Sequence, residues 1–252
     1  MFDAFVIAFS TYSRIPMPRV EWGPKAMKFA ICFFPLVGVA VGGCALLWGW
    51  LCQTLGLSGL LPAAGLTALP LLLTGGIHMD GFCDTVDALS SHQSRERMLE
   101  ILKDSNCGAF AVIFAGVWLL LYTAAVEAVT TPRALGILAL GFVLSRALSG
   151  LALANWKGAR PSGMLQAFAD AAHRRAVTVT MTAFLLLSAV GMLLLSPIRG
   201  GAALGAATLV FLHYRHMSYT RFGGITGDLA GYFLQLCELA VALALAFPAP
   251  LG

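Results

Sequence analysis

Charge is what this 252-residue chain has least of: Asp, Glu, Lys and Arg make up 11% of it, against 59% hydrophobic residues. Soluble domains carry about 25% charged residues, so this composition excludes an ordinary soluble surface. The mean hydropathy of +0.83 agrees. Six cysteines are present, but no two stand in C-x-x-C spacing. That argues against a zinc site or a disulfide framework and leaves them as small apolar packing residues. The N-terminus, Met1-Phe2-Asp3-Ala4-Phe5, lacks a basic lead and a small-residue cleavage site, so no cleaved signal peptide is expected. The net charge of +4 is too small to argue for nucleic acid, and none is expected as a partner.

What the chain does have is long apolar runs. A membrane-crossing helix needs about 20 predominantly apolar residues. Seven stretches qualify: 27–52, 58–77, 108–129, 134–155, 176–198, 201–214 and 228–247. The sixth is the shortest and fades into His213-Tyr214-Arg215-His216. Pro35 and Pro70 fall inside spans, where neighbouring helices can satisfy the freed backbone groups. The expected fold is all-α: a polytopic membrane helical bundle of about seven transmembrane helices, forming one domain over residues 1–252. An interfacial N-terminal segment precedes it, with Phe2, Phe5, Val6 and Phe9 on one side.

The positive charges orient the bundle. Thirteen of the sixteen Lys and Arg residues fall before the first span or after the even-numbered ones, Arg133 and Arg199 fall on the other side, and Arg146 lies within a span. The positive-inside rule then places the N-terminus and the long even-numbered loops in the cytoplasm. The expected location is a bacterial cytoplasmic (inner) membrane.

Six of the twelve acidic residues lie between Asp80 and Asp104. This 78–107 segment is expected to be a cytoplasmic acidic catalytic loop. Asp80, Asp84 and Asp87, at i, i+4 and i+7, share one face if the segment is helical. Stacked like charges repel, so something positive must offset them. Hard divalent cations such as Mg²⁺ prefer carboxylate oxygens and keep waters that a phosphate can replace. The alternative is a solvated acidic face. His78 is a candidate general base, a phosphate contact or an interfacial packing residue. Lys103 can meet phosphate, while Asp104 can cap the next helix or join the metal set.

Arg146, inside a span, needs an acidic partner, a water-filled cavity or a bound anion; Glu127, Glu238 and a substrate phosphate are candidates. Arg160-Pro161-Ser162-Gly163 is a basic turn. Gly223-Gly224-Ile225-Thr226-Gly227-Asp228 opens the last span, where helix N–H groups suit an anion and Asp228 alternatively serves as a first-turn acid. Gln235 shares the Asp228 face, and Glu238 sits deeper.

Several of these strings resemble one family. Thr74-Gly-Gly-Ile-His-Met-Asp-Gly-Phe-Cys-Asp-Thr-Val-Asp-Ala-Leu89 is similar to the signature of cobalamin synthase, adenosylcobinamide-GDP ribazoletransferase. Glu100-Ile-Leu-Lys-Asp-Ser-Asn-Cys-Gly-Ala-Phe110 and the 223–228 string, with Gln235 and Glu238, fit the same pattern, as do Ser13-Arg14-Ile15-Pro16, Ser145-Arg146 and Ala159-Arg160-Pro161. Asn155-Trp156-Lys157 and Gly231-Tyr232 depart from it. The resemblance implies Mg²⁺-dependent transfer of the cobinamide-phosphate group of adenosylcobinamide-GDP to α-ribazole, or its 5′-phosphate, with release of GMP. It implies Asp80, Asp84 and Asp87 as catalytic and metal residues with His78. It implies Arg14, Lys103, Asp104, Arg146, Arg160, Thr226, Asp228, Gln235 and Glu238 as substrate contacts. Further partners in keeping with it are a second copy of the chain or other late cobalamin-assembly enzymes.

Two rivals stand beside this reading. A CDP-alcohol phosphotransferase also uses spaced aspartates at a membrane face, but its pattern has Ala-Arg after the Asp-Gly, and Phe82-Cys83 stand here. An ion-coupled transporter would use Glu127, Arg146 and Glu238, but should show internal repeats, and none is evident.

Overall fold

The computed structural model describes residues 1–104, 106–161 and 163–247. Ser105 and Ser162, which belong to two of the strings above, lie outside the described residues, as does the C-terminal end. Among the described residues there is no β-strand, only an isolated bridge between Gly158 and Ile225.

Short helix α1 (Phe2–Tyr12) buries Ala4, Val6, Ile7, Ala8 and Phe9 and exposes Phe2. The N-terminal segment is therefore a helix packed on the bundle. The first span is interrupted: α2 (Pro24–Ala30) passes through a 3-10 turn, Ile31–Phe33, into α3 (Phe34–Thr54). Pro35 sits inside the 24–54 span, at the junction where the 3-10 turn passes into α3; a change of helix type is where a missing N–H is accommodated most readily.

The second span bends. Helix α4 (Leu60–Thr74) ends where Gly75 and Gly76 both take left-handed backbone (φ 65° and 78°), and α5 (Ile77–Ser90) leaves at 93°. Two consecutive left-handed residues are readily available only to glycine, so Gly75-Gly76 is the local cause of the bend. Helix α6 (Arg95–Ile101) follows. The 78–107 segment is therefore not a loop: it is mostly two helices with short turns. Repeated apolar contacts hold α5 between α7 (Ala109–Glu127) and the last helix, and this burial fixes its conformation.

Helix α8 (Pro132–Asn155) is the central element, with Ile137, Leu138, Phe142, Leu144 and Ala147 buried. Thr131 caps it by accepting from the Ala134 N–H. The amphipathic α9 (Met164–Ala171) leads to α10 (Arg174–Leu195), α11 (Pro197–Met217), a π turn over Ser218–Phe222, and α12 (Gly227–Ala246).

Among the described residues five helical segments are long and apolar enough to cross a membrane, six if the bent α4–α5 pair counts as one span. The sixth expected span is α11. At 21 residues it is longer than expected, but it carries Arg199, His213, Arg215 and His216 at its ends and is not among the apolar set. Outward-facing leucines, such as Leu194 (80% exposed) and Leu120 (73%), form the surface that a bilayer covers. The protein is a multi-pass α-helical membrane protein.

Candidate active site

Loops from widely separated parts of the chain converge at one end of the bundle. Helices α5 and α12 cross there almost backbone to backbone. A Cβ placed on Gly81 would stand 2.8 Å from the Asp228 carbonyl oxygen, and one on Gly231 would stand 2.8 Å from the His78 carbonyl oxygen. Only glycine permits this approach. Gly231, one of the residues that departs from the family pattern, is thus a packing contact, and its neighbour Tyr232 stacks on Phe82 at 5.6 Å.

The crossing brings Asp228 beside the acidic face of α5. The carboxylates of Asp80, Asp228, Asp87 and Asp104 all act on half-buried Asp84. Asp87 is already engaged: its oxygens accept from the Gly108 N–H at 2.6 Å and the Ala111 N–H at 2.9 Å. It caps α7, the role expected of Asp104. Asp104 instead accepts two bonds from Asn106, at 3.0 and 2.7 Å, in an exposed turn, and these hold its carboxyl below the usual carboxylate range.

Of the expected triad Asp80–Asp84–Asp87, the third member is thus already bonded to two free amides of α7. Among the described residues no three His, Cys, Asp or Glu side chains form a closed ligand group. Asp80 and Asp84 have no side-chain hydrogen bond among the described residues, and Asp228 from α12 joins them, with Thr226 and Arg160 beside it. Their chemistry suits a hard divalent cation that keeps waters in its remaining positions.

The basic side of the site is held by a short backbone bridge. The Ile225 N–H donates to the Lys157 carbonyl at 2.9 Å, and the Ala159 N–H to the Ile225 carbonyl at 2.8 Å. This pins the Arg160 turn to the start of α12. Arg160 lies 3.8 Å from Asp228 and donates to the Leu99 carbonyl. A pair this long leaves Arg160 able to meet a phosphate as well. Thr226 caps α12, accepting from the Leu229 N–H, and its hydroxyl lies 3.3 Å from Asp228. Arg95, whose guanidinium lies against Gly223, also reaches this end. Its position over the 223–228 turn, more than a hundred residues away in sequence, has no local sequence signal. Arg14 packs against Gly75 at the α4–α5 bend, and Lys103 is exposed; neither lines the cavities described next.

Two cavities meet at this end. One, of about 200 Å³, lies between α1, α5, α8, α9 and α12 and includes Tyr12, Phe34, His78, Asp80 and Asp228 in its wall. The other, of about 100 Å³, is lined by Arg160, Gln166, Thr226 and Asp228, and shares Met164, Leu165 and Gly227 with the first. Tyr12 and the α9 residues carried no motif, because an apolar wall looks like any packing surface in sequence. His78 is buried in the first cavity against Tyr12 and Phe34, with its Nε2 unpartnered. A larger cavity, of about 410 Å³, lies at the opposite end beside Trp48 and Thr131. Exposed Glu127 is the one charged residue in its wall, so the smaller pair carries the chemistry.

Three expected substrate contacts lie elsewhere. Arg146 is fully buried, and its Nη1 donates to Glu238 at 2.8 Å and to the Phe142 carbonyl at 2.9 Å. Ser145 donates to the same carboxylate at 3.2 Å. Gln235 is buried, and its carbonyl accepts from Trp118 Nε1 at 2.9 Å. None of the three lines the two cavities. Removing a charge from water is expensive unless it is paired, and of the partners expected for Arg146 the fold supplies Glu238.

A family model described as cobalamin-5-phosphate synthase matches residues 4–246. An adenosylcobinamide-GDP ribazoletransferase of Lachnoclostridium phytofermentans is 50% identical over 238 residues, 94% of this chain and 91% of that protein. Proteins of the same name from Pseudomonas fluorescens SBW25 and Desulfitobacterium hafniense Y51 are 34% and 36% identical, over 96% of this chain and 98% and 95% of theirs. No solved structure matches.

Proposed function

Since the chain belongs to the cobalamin-5-phosphate synthase family, we infer that it is an adenosylcobinamide-GDP ribazoletransferase. It transfers the cobinamide-phosphate group of adenosylcobinamide-GDP to α-ribazole or α-ribazole 5′-phosphate. The observation that carries this reading is the family match across nearly the whole chain. The relatives named above carry the ribazoletransferase name, which favours this reading over the lipid phosphotransferase and the transporter.

In the reaction a ribose hydroxyl of α-ribazole attacks the phosphorus bonded to the cobinamide aminopropanol. A new P–O bond forms, the anhydride bond to GMP breaks, and the hydroxyl proton leaves. Such phosphoryl transfer depends on positioning and charge neutralisation more than on a covalent nucleophile. Asp80, Asp84 and Asp228 would hold Mg²⁺, which supplies positive charge to the phosphates when bound. Arg160, anchored through Leu99, clamps a phosphate oxygen. A mouth carboxylate, Asp80 or Asp228, takes the hydroxyl proton. Asp87 orients α5 by tying it to α7.

The direct test supplies adenosylcobinamide-GDP, α-ribazole and Mg²⁺ to purified protein in lipid. GMP and adenosylcobalamin are expected, and chelation of Mg²⁺ stops both. Lipid phosphotransfer without GMP release would favour the rival enzyme. The site faces the cytoplasm across the inner membrane in this reading, supported by the distribution of Lys and Arg. With α11 crossing as well, to make seven spans, a reporter fused to the C-terminus should read as non-cytoplasmic; a cytoplasmic reading would mean that α11 or another span does not cross.

A further inference from the structure

We propose that the 200 Å³ cavity is the seat of the aromatic base of ribazole, and that His78 Nε2 donates a hydrogen bond to the base's free ring nitrogen. This rests on the transferase reading and says which part of which substrate goes where.

Size narrows the occupant. A dry cavity of about 150 Å³ accepts benzene, so one of about 200 Å³ suits a fused bicyclic ring. A corrin macrocycle is far too large for it. The substrates carry three bicyclic rings, the benzimidazole of ribazole, the guanine of the nucleotide and the adenine of the adenosyl group; the adenine is held against the corrin, which the cavity cannot admit, and the cavity's chemistry separates the other two. Tyr12, Ile31, Phe34, Leu153 and Leu234 supply apolar wall. The wall's partners for guanine N–H groups would be Asp80, Asp228 and Ser149, of which the two carboxylates are assigned to the metal, and guanine's remaining donors and acceptors would face the apolar wall, where each unpaired one is costly to bury. Benzimidazole joined to ribose keeps a single free ring nitrogen, an acceptor. Among the described residues that line the cavity, His78 Nε2 is the one buried side-chain N or O atom without a partner. A neutral imidazole carrying its hydrogen there meets that need.

The ring contacts hold the donor in place. His78 is 6.2 Å from Tyr12 with the rings 21° apart, and 6.0 Å from Phe34. The cavity also adjoins the charged groups of the site. Asp80 and Asp228 are part of its wall, and Asp228 is shared with the Arg160 cavity. A base seated inside therefore directs its ribose toward the carboxylates and the phosphate clamp. On this assignment His78 is a positioning residue for the nucleoside, not the general base.

The experiment measures α-ribazole binding by calorimetry and, separately, the KM of each substrate. The variants are Leu153→Phe and Ile31→Phe, which grow into the cavity from two walls and do not line the Arg160 cavity, together with His78→Leu and His78→Gln. Thermal unfolding in detergent identifies the variants that fold as the parent does. Either folded cavity variant is expected to raise the KM for α-ribazole about tenfold or more while leaving that for adenosylcobinamide-GDP unchanged. The same variant should favour the smaller imidazole α-ribonucleoside over α-ribazole, a reversal that mere structural damage does not produce. His78→Leu should raise the KM for α-ribazole about three- to tenfold, and His78→Gln, which keeps an N–H donor, should recover most of that. An unchanged KM for α-ribazole in folded cavity variants overturns the proposal, as does a rise confined to adenosylcobinamide-GDP. If the parent chain binds α-ribazole but releases no GMP, the transfer reading fails and the base site stands. If it binds no α-ribazole, the base site falls.

Discussion

Helix α12 carries two acidic residues ten positions apart, Asp228 at its start and Glu238 in its interior. At 1.5 Å per residue they lie about 15 Å apart along the axis, and their surroundings are opposite. Glu238 is 3% exposed and bonded to Arg146 and Ser145. Asp228 is partly open and shares its surroundings with Asp80 and Asp84, with Arg160 at 3.8 Å. The deep pair is neutral within itself and has no charge left for a ligand. The mouth keeps an excess of carboxylate that only a cation, or a cation with a phosphorylated substrate, offsets. Chemistry belongs where the charge is left uncompensated.

Breaking the deep pair has the largest expected effect. Arg146→Met leaves Glu238 buried and alone, which should destabilise the fold by about 3–5 kcal/mol. Thermal unfolding in detergent measures it, and the double change Arg146→Met/Glu238→Met should recover most of the loss. A double variant no better than the single one would mean that the two charges are not coupled.

At the mouth the damage should fall on activity. Asp84→Asn is expected to lower Mg²⁺-dependent transfer by about 100-fold or more with unfolding unchanged. Full activity in this variant would discard the metal assignment.

Asp87→Asn sharpens the boundary between the two behaviours. It weakens the cap on α7 and should cost about 0.5–2 kcal/mol of stability, while the Mg²⁺ concentration dependence stays that of the parent. A shift in that dependence as large as for Asp84→Asn would return Asp87 to the metal set.

Smallest of all, Arg97→Ala removes an ion pair to Glu100 whose side chains are both 63% exposed. Screening by water leaves such a pair less than about 1 kcal/mol, so neither unfolding nor transfer should move measurably.

Much of this was legible in the chain itself because it is local. An apolar run long enough to span lipid is a property of consecutive residues, and so is the i, i+4, i+7 spacing that gives α5 its acidic face. The bend at Gly75-Gly76 was marked by the two glycines. The sign of the charge at each loop was readable for the same reason. Asp87, Asp104 and Arg146 show where that reading stops. Asp104, just before α7 in the chain, was the local choice of cap, whereas Asp87, 21 residues from Gly108, reaches the α7 amides only because α5 packs against α7. Arg146 had Glu127, Glu238 and a phosphate as candidate partners, and the choice depended on which helix packs against α8.

The sequence by itself determined an all-α membrane bundle, its acidic helix and, through its motifs, its family. Apolar length, charge placement and residue spacing act over a few turns and need no partner. Only the tertiary structure decided that Gly81 and Gly231 bring Asp228 to the α5 carboxylates, that Glu238 neutralises Arg146, and that Tyr12, Phe34 and His78 enclose a cavity beside them. Those outcomes are set by which helices pack together, and close packing selects among partners tens of residues apart that no local pattern distinguishes.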